Sequence, residues 1–260
     1  YAYKVGPDGT MHWGDNGVAL SSSGVNNMSP RLAIMDDNSV IVTWTHNDNS
    51  VLFQHISSGG TLLWGDGILI ADNNATLLSP NPIITTNGNI LIQWIRQTGP
   101  FWAANSQLYL QKYNYDGSPM WTSSVVAAGP VVFPMGNWLQ QSQPDANSGS
   151  FSAWTAMSGN VQSAAAQHID VDGSLSWVGG VEFSDNTNHF RISPRLAIAE
   201  SNQDLIAVWN ESNSGQSQRG VYAQRLDNSG NKLWGSNGTA VIELNNDHDY
   251  LDLSVQGLGD

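Results

Sequence analysis

Cysteine is absent from the 260 residues, which excludes disulfides, thiolate metal centres and cysteine nucleophiles together and leaves the redox compartment unmarked. Cationic side chains are scarce: nine Lys and Arg stand against 22 Asp and Glu, a formal charge of −13. Such a balance repels phosphate backbones and anionic bilayers, so no nucleic-acid partner is expected. Long apolar runs are missing too. The longest, such as "ILIQWI" at 90–95, are strand-length and far below the ~18 residues that span a bilayer, so no membrane insertion is expected. No stretch has the period of an amphipathic helix. The chain also lacks a signal-peptide pattern and begins at Tyr1 without Met, which reads as a processed product or a piece of a larger parent chain. Either reading suits export, and the Asn-rich, Lys-poor composition agrees with a secreted or cell-surface protein.

What the chain has is repetition. Aligned on Trp, the copies are "YAYKVGPDGTMHWG" (1–14), "LFQHISSGGTLLWG" (52–65), "YLQKYNYDGSPMWT" (109–122), "AAQHIDVDGSLSWV" (165–178) and "YAQRLDNSGNKLWG" (222–235). A Gly precedes the Trp by four residues in every copy: Gly9, Gly60, Gly117, Gly173 and Gly230. Ten residues before the Trp stand Gln54, Gln111, Gln167 and Gln224, with Tyr3 in the first copy. The next position is basic or His throughout: Lys4, His55, Lys112, His168 and Arg225. The turn Gly supplies the positive φ of a tight hairpin, and one hairpin cannot hide a Trp, so the copies are expected to pack on one another.

A second element lies between the hairpins: "SVIVTW" (39–44), "NILIQW" (89–94), "GSFSAW" (149–154) and "DLIAVW" (204–209). Three of these are apolar on both faces, as a covered strand is. Upstream stand "SPRLAI" at 29–34 and 193–198 and the looser "SPNPII" at 79–84. The unit is thus four strands, with the last one holding the Trp, and the motif Trp residues at 13, 64, 121, 177 and 234 recur every 51 to 57 residues. This predicts an all-β fold: a single β-propeller domain over 1–260 with about five four-stranded blades, the "SPRLAI" strand innermost. One blade is expected to be incomplete, because the chain starts inside a third strand and "YLDLSVQGLGD" (250–260) aligns with a first strand.

The hairpin containing Asp170, Asp172, Gly173 and Trp177 resembles the Asp-box of sialidase-like propellers, with the Gly displaced by one residue. The whole unit is more similar to repeats of extracellular proteins of Bacteroidota-type bacteria, whose pattern runs approximately "YAQRID-SGN-LWG-NGV". That resemblance covers nearly the whole chain and implies export. It implies no single activity.

The repeat Trp residues are read as filling the space between blades. Sequence that breaks the repeat is the better guide to a ligand. Trp102 lies in the insertion "QTGPFWAANSQ" (97–107) and Trp138 in "VVFPMGNWLQQ" (131–141). Aromatics on polar loops stack on sugar rings and neighbouring amides bond hydroxyls, so Phe101, Trp102, Asn105, Asn137, Trp138 and Gln140 form the expected ligand site. Arg31 and Arg195 share an inner-strand column with Asn81 and Asp252 and are candidates for holding an anion. A sialidase-type site needs three arginines, and this column supplies two. Glycosidases need two carboxylates about 5 to 10 Å apart; Asp36, Glu182, Glu200 and Asp252 are available, but no spacing unites a pair. No catalytic residue is therefore assigned. Zinc is not expected, since the six His residues form no ligand pair. No cofactor is expected beyond Ca²⁺, for which Asp170, Asp172, Asp247 and Asp249 are the candidate ligands.

Together these features lead to the expectation of a non-catalytic recognition module that binds a glycan or cell-surface protein through loops on a rigid scaffold. A structural subunit of a surface or secretion assembly and a propeller glycosidase are the alternatives.

Overall fold

The computed structural model describes residues 1–21, 26–100, 104–132, 141–158 and 160–256. Among these residues there is no helix, and the strands fall into four sheets. The first contains β1 (Asn27–Ile34), β2 (Val40–His46), β3 (Ser50–Ile56) and β4 (Ile68–Ala71), in that order. The second contains β5 (Thr76–Ile84), β6 (Ile90–Thr98), β7 (Asn105–Tyr113) and β8 (Val125–Ala128). In the third, β9 (Val131–Val132) pairs with β11 (Ser150–Ser158), beside β10 (Gln141–Pro144), β12 (Val161–Ile169) and β13 (Val181–Glu182). The fourth contains β14 (Phe190–Ile198), β15 (Leu205–Ser212), β16 (Arg219–Leu226) and β17 (Thr239–Asn245). Sequential strands pair antiparallel, so that Trp44 faces Leu52 and Trp209 faces Tyr222. The chain divides into two compact units, one of Tyr1–Ile84, Gly88–Ala104 and Tyr109–Ser124, the other of Thr85–Asn87, Asn105–Leu108 and Val125–Asp260.

The first three strands of each unit fall where their patterns predict. The repeat Trp does not: it sits beyond an isolated bridge (Leu62, Pro119, Leu175 or Lys232), and the fourth strand starts several residues after it. A side chain holds the Trp in place of a ladder. Gln167 accepts the His168 and Trp177 amides at 3.0 Å each and donates to the Trp177 carbonyl at 2.6 Å. Gln54 and Gln224 likewise accept the amides of His55 and Trp64 and of Arg225 and Trp234, and donate to the carbonyl one residue further on, at Gly65 and Gly235. The basic column clamps the turn between first and second strands of its own sheet: His55 meets Ser39 Oγ at 2.7 Å, His168 meets Asp145 at 2.7 Å, and Arg225 Nε donates to Asp204 at 2.6 Å.

The Ser-Pro of each first strand is a bulge. Ser29, Ser79 and Ser193 have φ of 53°, 51° and 58°, and the register slips there in β1, β5 and β14. The extra residue bends the strand and lets the following Pro sit where no ladder donor is needed.

Apolar faces of neighbouring sheets close the cores. Ile41, Val51 and Phe53 meet Leu77, Ile90, Ile92 and Trp94 in one, and Phe151, Ala153 and Ala166 meet Leu196, Leu205 and Trp209 in another. Four sheets form among the described residues, against the expected five blades. The N-terminal copy makes a hairpin with bridges Val5–Met11 and Ala2–Val18, and residues 251–256 form no strand. Neither segment pairs with a second strand of the "VIVTW" type, and no further ladder builds among the described residues.

Candidate functional site

Each sheet has two ends. At the one here called the crossover end the first strand begins, the second finishes and the third begins, and from it the chain passes on to the next sheet. At this end of their sheets β6 finishes and β7 and β10 begin. Phe101, Trp102, Asn137, Trp138 and Gln140 lie outside the described residues. Asn105 opens β7 and is exposed.

Two residues after the second-strand Trp, still at this end, stand His46, Arg96, Ala156 and Glu211. Three of these side chains are paired. His46 Nδ1 lies 3.0 Å from Asn27 Oδ1. Arg96 Nε donates to Asp72 at 2.6 Å, and the Asn74 amide followed by Arg96 holds that carboxyl below its usual range. Ala156 breaks the series and faces Val131 of the inserted β9.

Glu211 is the best-built of the set. Its side chain is almost fully buried, one oxygen lies 2.7 Å from His189 Nδ1, and the other accepts Trp209 Nε1 at 2.8 Å. Its cross-strand partner is Arg191, also buried, which donates to the Asn186 carbonyl and lies 3.6 Å from Glu182. Burial lowers the Arg191 pKa from the ordinary guanidinium value, opposed by Glu211, then Glu182 and Asp185. Burial raises the nearby Tyr222 phenol, with Glu243 and Glu211 adding to the rise. His189 is partly exposed, and its Nε2 has no hydrogen-bond partner among the described residues. A carboxylate only accepts, so the proton of the His189–Glu211 bond belongs to Nδ1, and Nε2 is the atom free to take or give one.

Sequence reading named Glu182 but passed over His189, Arg191 and Glu211. The signal available was the Trp-plus-two column, which is charged or His in three of four sheets.

The other expected site residues are engaged locally. Arg195 donates to the Leu253 carbonyl at 3.1 Å and lies 3.5 Å from Asp252. Arg31 lies on β1, in the other unit. Asp172 caps its turn through Ser174, with N–H at 2.9 Å and hydroxyl at 2.6 Å, and Asp170 accepts from Ser176 Oγ at 2.5 Å. Asp249 bonds the Tyr250 amide at 2.8 Å, and the Asp247 amide bonds Asn245 at 2.6 Å. Among the described residues no three His, Asp or Glu side chains gather as a metal site.

No family model and no curated protein matches the chain. Solved structures do. A polysaccharide lyase, an ulvan lyase bound to -[GlcA(1-4)Rha3S]-, matches with TM-score 0.56 at 10% identity over 83% of this chain and 56% of its own. This chain thus spans little more than half of that lyase. An α-L-arabinofuranosidase of Fusarium graminearum with arabinobiose matches with TM-score 0.49 at 13% identity, over 87% of this chain and 78% of that one. An α-L-arabinanase of Penicillium chrysogenum, also with arabinobiose, matches with TM-score 0.49 at 12% identity, over 90% and 82%. The chain therefore shares an all-β fold of repeated antiparallel sheets with a carbohydrate-cleaving enzyme. That corrects the expectation of a non-catalytic recognition module. Stacking aromatics and amides on loops, the features behind it, serve a cleaving enzyme equally well, so they did not discriminate.

Proposed function

We propose that this chain is a carbohydrate-active enzyme of β-propeller type, about five blades in all, that cleaves a polysaccharide at the crossover end of its fourth sheet with His189 as acid–base group. The observation that carries this reading is the His189–Glu211 pair. A buried carboxylate fixes the imidazole tautomer and orientation and leaves a basic nitrogen at a partly exposed position. The likeness in fold to a lyase bound to a polysaccharide fragment supports the substrate class.

With its proton on Nδ1, His189 first takes one at Nε2, either from the ring carbon beside a uronic carboxylate as a C=C bond forms or from a water that bonds to the anomeric carbon, and returns it to the leaving oxygen as the glycosidic C–O bond breaks. Arg191 compensates the buried Glu211 charge and does not itself reach solvent. Trp138, in the same unit as His189, stacks on a sugar ring, and Asn105, Asn137 and Gln140 bond hydroxyls. Export belongs to this reading, because a polymeric substrate is met outside the cell.

The test is a panel of neutral, uronic-acid and sulfated polysaccharides, read both by new reducing ends and by ultraviolet absorbance of unsaturated ends. Cleavage of at least one polymer is expected, with His189→Gln lowering the rate by about 10² or more while the circular dichroism stays unchanged. Failure to cleave any polymer, or His189→Gln cleaving at the native rate, would sink the proposal.

A further inference from the structure

Strand β1 is exposed along almost its whole length, whereas β14, which repeats its Ser-Pro-Arg-Leu-Ala-Ile sequence, is largely covered. Leu32 and Ile34 are 63% and 66% exposed, but Leu196, the counterpart of Leu32, is 2% exposed. The difference lies in what covers them. Leu196 shares a core with Phe151 and Ala153 of β11, and Gln143 of β10 donates to its carbonyl at 3.1 Å. The first and second strands of the preceding sheet thus close that face.

On β1 the same place is open. The N-terminal hairpin covers only the outer part of the sheet, where Ala2, Trp13 and Leu20 pack around Val42, Trp44 and Ile56. A hollow of about 900 Å³ is left, with Tyr3, Trp13, Met28, Leu32, Ile34 and Val42 in its wall. The hairpin also has a free edge. Ala2 exchanges bonds with Val18, and the Lys4 carbonyl accepts from His12, both toward its outer side. Tyr3, between them, has no backbone partner among the described residues. The corresponding Gln54 in the first sheet faces Val42 of β2. The edge at Tyr3 is therefore the one to which a second strand belongs.

We propose that this face docks a β-hairpin with the chemistry of the repeat's own first and second strands. Its first strand covers Leu32 and Ile34. Its second strand, apolar on both faces and ending in Trp, adds antiparallel to the edge at Tyr3. Docking removes exposed apolar surface and satisfies an unpaired edge in one step, as in β-strand addition. The internal repeat defines this docking face, independently of any catalytic activity.

The probe is a fluorescent peptide spanning residues 189–212, lysine-tagged for solubility, titrated against the native chain. Saturable binding on the order of 10 μM is expected. Leu32→Asp with Ile34→Asp should weaken it about tenfold or more. Both side chains are exposed, so this variant is expected to keep its fold, checked by circular dichroism. Tyr3→Pro, which removes the edge donor, should weaken binding as well. Absence of binding at ~500 μM, or equal affinity for the Leu32/Ile34 variant, would overturn the proposal, since either lies far outside a specific docked interface. So would a native dimer in sedimentation that the same variant abolishes, because a second copy would then occupy the face.

Discussion

Trp177 donates its indole Nε1 to the carbonyl of Asn228 at 3.1 Å, so the last motif residue of one repeat is fastened to the turn of the next. The same bond runs from Trp13 to Ser58 at 3.1 Å and from Trp64 to Tyr115 at 3.3 Å. In each case the acceptor stands two residues before the turn Gly. That Gly is held by its neighbour as well as by its turn: a Cβ on Gly230, at φ +82°, would lie 3.2 Å from Trp177 Nε1 and 2.9 Å from Val181. Trp177 is 4% exposed, whereas Trp234, which bonds no following hairpin among the described residues, is 37% exposed.

Gly230→Ala should accordingly lower stability by about 1–3 kcal/mol, because the added methyl is strained in φ and also meets the indole. Trp177→Phe keeps most of the ring and loses the bond to Asn228, at about 1 kcal/mol. Urea unfolding of both variants measures this. A Gly230→Ala variant as stable as the native chain would refute the fastening.

Replacing Gln167 by Leu leaves the amides of His168 and Trp177 without their buried acceptor. The expected loss is about 2–4 kcal/mol, larger than an exposed hydrogen bond would give. Amide hydrogen exchange at those two positions should speed up with it. Unchanged protection would mean that water replaces the side chain.

His55 gives the fold a pH dependence. Burial lowers its pKa, outweighing the opposite pull of Asp37 and of the Tyr115 backbone, so the folded state favours the neutral ring. A lowered folded pKa contributes stability that is fully present above the unfolded value of about 6.5 and fades as pH falls through the folded value. Thermal melting of the native chain between about pH 8 and pH 5 should therefore show a downward slope on acidification that is reduced in His55→Gln.

Arg191 and Glu211 should be energetically coupled. Glu211→Gln leaves a buried cation with less compensation and Arg191→Met leaves a buried anion, each destabilising by about 3–5 kcal/mol. The double variant should recover about 1–3 kcal/mol of the summed loss. Strict additivity in urea unfolding would show that the two charges do not sense one another.

How much of this was legible in the sequence varies by residue. Strand patterns such as "VIVTW" and "LIAVW" were readable because burial on both faces imposes an apolar run with a local signature. The Ser-Pro bulge was not, because Ser at positive φ carries no compositional mark. The placement of Trp177 outside a strand was hidden for another reason: its amide bonds a side chain, Gln167, ten residues away. The candidate site was legible only in part. Its insertions showed as breaks in the repeat and Glu211 stands in the Trp-plus-two column, but His189, 22 residues away, belongs to no repeat column, so no local signal pairs the two.

By itself, then, the sequence determined the repeating four-strand unit, its turns, the columns of Gln, Trp and basic residues, and a net charge of −13. These follow from local periodicity, local φ and summed charge, each readable one segment at a time. Only the tertiary structure decided that Gln binds the Trp turn, that Glu211 is buried against His189 and Arg191, and that Leu32 stays open while Leu196 is covered. Strand register and the packing of one sheet on the next set those relations, and neither is a property of any single segment.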